Sequence, residues 1–320
     1  MDRIMKWRRI PSKSVSQILL LFVGVFFPAL VLVCPSHSGA AQKLDATRIE
    51  QITGLKGAMN EAEGVFKVSA PRNDVKIAVD GWSMPPFMGL TSWASFKSGI
   101  NQQFMVMGDL VLFQDEVNPV MSALLDSGLE VTALHNHFFF DEPKVYFMHI
   151  GGEGTLEKLA GGVRKAFDAE KAVRAAHAQP QTKFSGMSIP ASSSVNGNPL
   201  ESALNVKGQS QNGMFKVVIG RTAKMSCGCE VGKDMGVNTW AAFAGTDENA
   251  VVDGDIAMTE NELQPVLKSL RAEGINIVAI HHHMTQEEPR YIFLHYWGKG
   301  PALALAHSLK KTLDIQKTTK

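Results

Sequence analysis

Cysteine is scarce: three occur in 320 residues. Cys34 lies in the N-terminal leader, which leaves Cys227 and Cys229 for the body of the chain. The body therefore cannot rest on a framework of several disulfides. Two residues apart is also a poor spacing for an ordinary disulfide, whose Cα atoms must sit within narrow limits. Soft-metal binding, a redox pair and an intermolecular disulfide all remain open for these two thiols. An excess of charge of one sign is missing too, with 32 Lys+Arg against 31 Asp+Glu. Residues 1–40 hold five of the bases and one acid, Asp2, so removing them leaves 27 against 30, a net charge of −3 with histidine neutral. No basic stripe survives, which argues against a nucleic-acid partner. Nor is there a glycine-rich phosphate loop or a serine-nucleophile elbow.

What is present begins with an export signal. Lys6, Arg8, Arg9 and Lys13 form a basic start, and an uninterrupted apolar run follows from Ile18 to Val33. Ser38 and Ala40 then fit the small-x-small pattern of a signal peptidase site. Cleavage is expected after Ala40 or Ala41, making residues 1–41 a signal peptide. The rival is an uncleaved anchor, because the run falls little short of the roughly 20 residues that span a bilayer. Pro28 and the "SGAA" exit favour cleavage. Either way the body is expected outside the cytoplasm, periplasmic or secreted, with membrane contact only through a retained leader.

The body repeats itself. "MGDLVLFQDEVNPVMSALLDSGLEVTALHNHFFFDEPKVYFMHIGGEG" aligns with "DGDIAMTENELQPVLKSLRAEGINIVAIHHHMTQEEPRYIFLHYWGKG". Gly108-Asp109 falls on Gly254-Asp255, Pro119 on Pro265 and His149 on His295, at a constant offset of 146. Upstream blocks match with small insertions, "GVFKV" on "GMFKV" and "MGLTSWASF" on "MGVNTWAAF". A Ser-, Pro-, Gly- and Asn-rich stretch separates the copies and reads as a linker. The expected division is 42–177, linker 178–199, and 200–320.

Each copy reads as short strands, a Trp-containing strand, a helix, two more strands and a closing helix. The first helix spans Gln114 to Ser127, with Val117, Val120, Met121, Leu124 and Leu125 at helical spacing and Gly128 as its stop. The closing helix starts near Thr155. This implies an α+β fold of two tandem, pseudo-symmetric copies, each a mixed or antiparallel sheet with helices on one face. The copies should pack around a pseudo-two-fold axis, each half-sheet burying its second face against its twin.

Seven of the ten histidines lie in two matched hairpins, "ALHNHFFFDEPKVYFMH" and "AIHHHMTQEEPRYIFLH". Residues two apart on a strand share a face, so His135 and His137 point one way and Asn136 the other. A turn centred on Glu142 would set His135 opposite His149 and bring all three imidazoles to one patch. The same arithmetic groups His281, His283 and His295, with His282 turned to the opposite face. Three imidazoles on one sheet face are a plausible set for Zn, Cu, Ni or Fe with a coordination position left open. Glu142 and Glu288, in the turns, could add a fourth ligand or a general acid/base. The plainer reading is structural, since a lone histidine in such an apolar strand is most often a core residue with a satisfied hydrogen bond. Three per copy, twice over, makes that reading costly, because every buried imidazole needs partners.

Other residues carry weaker signals. Asp109 and Asp255 follow a glycine at a strand bend, and could orient a histidine or simply make a turn. Trp93 and Trp240 read as core, and Met84, Met88, Met105 and Met107 as gap-filling core rather than a copper relay.

The strings "MGDLVLFQDEVNPVMSALLDSGLEVTALHNH" and "PKVYFMHIGGEG" closely resemble the LppY/LpqO family of exported bacterial proteins. That resemblance covers nearly the whole body and implies an exported, two-copy architecture built on a duplicated domain of unknown function. The family's name implies lipoproteins; Val33 before Cys34 departs from that pattern, which wants a small residue there. It brings no activity with it.

These readings converge on an exported protein that binds a transition metal or a small polar ligand through a histidine patch in each copy. Two others stand beside it: a metal-assisted hydrolase or oxygenase using Glu142 or Glu288, and a non-catalytic envelope interaction module with structural histidines. No oligomeric state is legible. Both copies keep all three histidines and the Glu-Pro, which favours binding over catalysis.

Overall fold

A computed structural model describes residues 43–99 and 103–319. The expected leader and its cleavage point lie outside the described residues. The first repeat runs α1 (Ala46–Thr53), β1 (Gly57–Asn60), β2 (Val65–Pro71), β3 (Ala78–Val79), β4 (Trp82–Ser83), β5 (Thr91–Ser98), β6 (Phe104–Phe113), α2 (Gln114–Asp126), β7 (Glu130–His135), β8 (Asp141–Glu142), β9 (Val145–Gly154) and α3 (Leu156–Ala176). The second runs α4 (Gly197–Leu204), β10 (Gly208–Gln211), β11 (Met214–Gly220), β12 (Ala223–Lys224), β13 (Glu230–Val231), β14 (Asn238–Gly245), β15 (Ala250–Met258), α5 (Glu260–Ala272), β16 (Asn276–His281), β17 (Ile292–Gly300) and α6 (Ala302–Thr318).

The local causes are those the sequence announces. Asp45 and Thr155 cap α1 and α3 by accepting from Arg48 N and Lys158 N. Glu116 and Glu262 reach back to the N–H groups of Phe113 and Thr259, closing the first turns of α2 and α5. Both helices stop before a glycine in the left-handed region, Gly128 at φ 74° and Gly274 at φ 73°. Strand residues alternate between two faces. Phe66, Val68, Ala94, Phe96, Leu110 and Met148 pack toward the helices, in a core that runs through both repeats.

Twelve strands form one antiparallel sheet in the order β1-β2-β5-β6-β9-β7-β16-β17-β15-β14-β11-β10. The second half is the first half reversed, so the copies share one strand order. They meet where β7 pairs with β16 through Leu134 and Ile280. Those two residues are equivalents at the repeat offset, so a pseudo-two-fold axis passes between them.

Contrary to expectation, the half-sheets do not bury a face against each other. The halves join edge to edge, which pairs two strand edges that would otherwise stay open and leaves the face away from the helices uncovered by the other half. A matched pair of side chains secures the join. Each repeat has a β-bulge, at Val131/Ala133 and at Ile277/Ala279. The bulges turn Val131 and Ile277 into the helix-side core. Asn118 then accepts from Ile277 N at 2.8 Å and donates to Ile277 O at 3.2 Å. Gln264, its equivalent, accepts from Val131 N at 3.2 Å and donates to Val131 O at 2.8 Å. Each amide thus satisfies the bulge of the other repeat.

Small elements cover parts of the outer face. β4, β3 and β8 make a three-stranded sheet in the first repeat, and β12 and β13 a hairpin in the second. Under them sit two small apolar clusters, one with Val111, Val145 and Phe147, the other with Ala257, Tyr291 and Phe293. Buried Arg72 and half-buried Arg221 tie these loops to α2 and α5, through Glu116 at 2.7 Å and Glu262 at 2.5 Å. The β12–β13 turn also joins Cys227 to Cys229, whose Cα atoms lie 5.5 Å apart. The spacing judged poor for a disulfide is accommodated by Gly228, at φ 82°.

Candidate metal centre

The outer face carries one transverse row of side chains in each repeat, set by the strand register. In the first it reads Ser69, Trp93, Asp109, His149, Ala133 across β2, β5, β6, β9 and β7. In the second it reads Val218, Trp240, Asp255, His295, Ala279. Directly paired residues point to the same side, so each aspartate lies beside the histidine of the next strand. The glycine before each aspartate has a steric cause. A Cβ at Gly254 would collide with Tyr296 Oη and Trp240 O, and one at Gly108 would stand 2.6 Å from Trp93 O.

The hairpins bring in the remaining imidazoles. The register differs from a turn centred on Glu142: His135 pairs with Phe147 and His281 with Phe293, while Ala133 and Ala279 face His149 and His295. The slip is two residues, one full strand period, so the face is unchanged. The His135 ring lies 5.2 Å from that of His137 and 5.1 Å from that of His149. In the second repeat His281 lies 5.0 Å from His283 and 4.6 Å from His295. His137 and His283 lie past the strand ends and stack on Phe147 and Phe293, at 3.4 and 3.6 Å between centroids. His282 bonds the carbonyl of Tyr291 instead, at 3.1 Å, and makes no ring contact with the cluster.

The second repeat shows the donor geometry in detail. His283 Nε2 lies 3.1 Å from His281 Nε2 and 3.2 Å from Asp255 Oδ2. One ligand atom each from Asp255, His281 and His295 also falls within 4.8 Å of the others. His283 Nδ1 contacts Gly236 O at 3.0 Å and His295 Nδ1 contacts Gly254 O at 3.3 Å. A carbonyl only accepts, so both Nδ1 atoms carry the proton and both Nε2 atoms of the neutral rings hold lone pairs. A neutral His283 therefore turns its lone pair on a carboxylate oxygen. That contact is favourable only with a proton on Nε2 or a cation between them.

Charge and burial sharpen the point. Asp255 is 3% exposed, and its Oδ1 is buried with no hydrogen-bond partner among the described residues, as are Asp109 Oδ1 and His281 Nδ1. Burial holds the Asp255 carboxyl above the usual range, against the opposing pull of His295 and His283. Burial, with His295, His283 and His282 as further causes, pushes His281 down to about 4. His137 is lowered by burial and by His135 and His149, against Asp109. His281 is thus neutral near pH 7, with one ring-nitrogen lone pair available to a cation.

The carboxylate at each patch is the aspartate, not the turn glutamate. Glu142 and Glu288 precede cis prolines and are exposed. Glu142 pairs by its backbone with Ala78, and Glu288 with Lys224. Neither side chain bonds a histidine among the described residues. The neighbours Asp141 and Glu287 are the buried acids of these turns, accepting from Val145 N and Tyr291 N. Asp109 and Asp255 also sit mid-strand rather than at a bend. The signal for their role was in the sequence: the Gly-Asp pair recurs at the same offset as the histidines.

A family model for a Domain of Unknown Function (DUF1259) matches residues 47–169 and, a second time, 198–315. The chain belongs to this family. Both matched segments of the DUF1259 chain contain a complete Asp/His cluster. No curated protein matches. Among solved structures, a trimeric bacterial microcompartment shell protein, PduB, is similar at 10% identity over 80% of this chain and 89% of that one. Its TM-score of 0.17 carries no argument.

Proposed function

We propose that this DUF1259 protein is an exported metal-binding protein, holding one transition-metal ion per repeat. Asp255, His281, His283 and His295 supply the second site, and Asp109, His135, His137 and His149 the first. The observation that carries this is the convergence of two imidazole nitrogens and a carboxylate oxygen at 3.1 and 3.2 Å. Ligands about 2.0–2.1 Å from one ion stand about 2.9 Å apart at a right angle and about 3.4 Å apart at a tetrahedral one. Nitrogen and oxygen donors without sulfur suit Zn, Fe, Ni or Cu(II). The structural-histidine reading would need every buried polar atom paired, and the orphaned atoms of Asp255, His281 and Asp109 count against it. Export is supported by the leader and by the resemblance to the LppY/LpqO proteins.

The test is elemental analysis of the exported protein, purified without a polyhistidine tag. Stoichiometric metal is expected. His281→Ala should remove one equivalent, and His135→Ala with His281→Ala should empty the protein. A metal-free wild type whose melting temperature ignores added Zn, Fe, Ni and Cu refutes the proposal.

A further inference from the structure

We infer that the first repeat, and not the second, receives a small aromatic carboxylic acid in the cleft beside its Asp/His cluster. This goes beyond the metal reading and does not need it. The cleft holds about 300 Å³, at the lower end of small-molecule sites. Lys67, Ser69, Phe87, Trp93, Asp109 and His137 are among its walls. The row across the sheet explains why they meet: Ser69, Trp93 and Asp109 are register partners, and Lys67 stands one strand period before Ser69.

The walls specify a ligand. Lys67 Nζ sits 4.2 Å over the Trp93 ring and has no acidic partner among the described residues. It is a positioned cation awaiting an anion. Phe87 is 97% exposed although it lines the cleft, an apolar plate with nothing on it. A carboxylate at Lys67 and Ser69, with a ring against Phe87, satisfies both at once.

The second repeat keeps the floor and loses the walls. Lys216 still covers Trp240, at 4.3 Å. Yet Val218 replaces Ser69, and exposed Asp234, 3.8 Å from Lys233, replaces Phe87, so the second repeat has neither the hydroxyl for the carboxylate nor the apolar plate for the ring. His283 is also tied to Gly236 O, bridging that loop to the cluster. The matching His137 makes no hydrogen bond to Gly89 among the described residues, so the first site stays open to its cleft.

The probe is benzoate, titrated calorimetrically into the full exported chain, both metal-stripped and metal-loaded, with acetate and benzylamine as controls. Benzoate should bind in both forms, acetate roughly tenfold more weakly and benzylamine not at all. Lys67→Met and Phe87→Ala should each weaken benzoate roughly tenfold, while Lys216→Met leaves it unchanged. No benzoate binding at millimolar concentration, or equal losses from Lys67→Met and Lys216→Met, overturns the inference. Metal content of the same preparations separates it from the metal reading. Lys67-dependent benzoate binding by a protein that is purified without metal and takes none up leaves the cleft standing and the metal fallen; full metal without benzoate binding does the reverse.

Discussion

Replacing Asp255 with Asn separates a metal ligand from a structural hydrogen-bonder, because the two readings predict opposite signs in the metal-free protein. Asp255 is 3% exposed, its Oδ1 has no hydrogen-bond partner among the described residues, and its Oδ2 faces His283 Nε2 at 3.2 Å. Where the neighbouring imidazoles carry no added proton, the ionised carboxylate is a buried charge with no countercharge. Asparagine keeps the shape and removes the charge. The cost of an unsatisfied buried group is about 1–3 kcal/mol and larger when charged, so relief of that order is expected on substitution. Each kcal/mol moves the melting temperature of a body this size by about 2 °C, and a rise of roughly 2–6 °C follows. With metal the order reverses. A ligand at 100 times its dissociation constant stabilises by about 2.7 kcal/mol, and Asp255→Asn should forfeit the second repeat's share of that gain. Combining it with Asp109→Asn should abolish the response to Zn. Calorimetric melting with and without Zn reads both effects. A lower melting temperature for metal-free Asp255→Asn at pH 8, or an undiminished response of the double variant, refutes the reasoning.

Three further outcomes are expected. Asn118→Leu strands the N–H and C=O of Ile277, which is 1% exposed, and should cost about 2–4 kcal/mol in chemical denaturation; a cost within error of zero would show that the amide clamp does not hold the repeats. For pH, the unfolded His281 takes a proton near about 6.5 and the folded one only near 4. The metal-free folded state therefore binds fewer protons in that window, and stability falls as pH drops from about 6.5 toward 4. Glu170, raised by burial to about 7, runs the opposite way, so the quantity to measure is the difference between wild type and His281→Gln; a difference curve flat between pH 7 and 4.5 contradicts the assignment. Finally, the intact mass of the exported protein should begin at Ala41 or Gln42, and a retained N-terminus or a lipid on Cys34 would show the leader reading wrong.

The parts of this fold that were legible are those written in periodicity. Helix α2 and its stop at Gly128 follow from residue spacing and one left-handed glycine, and the repeat follows from a constant offset. The shared face of His135 and His149, and of His281 and His295, was legible because a strand has a period of two, which survives the register error in both hairpins, while His137 and His283 reach the patch from beyond the strand ends. What stayed hidden depends on contacts far apart in the chain. The bulge that turns Val131 to the helix side has no local mark, and the side chain that satisfies its backbone is Gln264, more than a hundred residues away. For the same reason the aspartates read only as residues that orient a histidine or make a turn. Proximity in sequence pointed to Glu142, whereas Asp109 reaches the patch through pairing of β6 with β9.

The pseudo-two-fold axis at Leu134 and Ile280 is the geometry of a symmetric dimer, with the equivalent residues of both halves meeting at the centre. A dimer of identical chains would have to present two identical sites. Joining the halves in one chain removes that constraint, and the sequence shows where it was used. Everything that holds the sheet together is kept in both copies: the bulges, the Asn118 and Gln264 amides, the Arg72 and Arg221 ion pairs, and the Gly-Asp steps under the histidines. The rims are not kept. Trp82, Phe87, Phe139 and Phe140 stand exposed around the first site, where the second has Cys229, Asp234, Thr285 and Gln286. Divergence at the rim, over a shared cluster, is what two sites require if they hold the same ion and admit different visitors. It also accounts for a disulfide in only one copy, since Cys227 and Cys229 lie in the rim hairpin and not in the shared sheet.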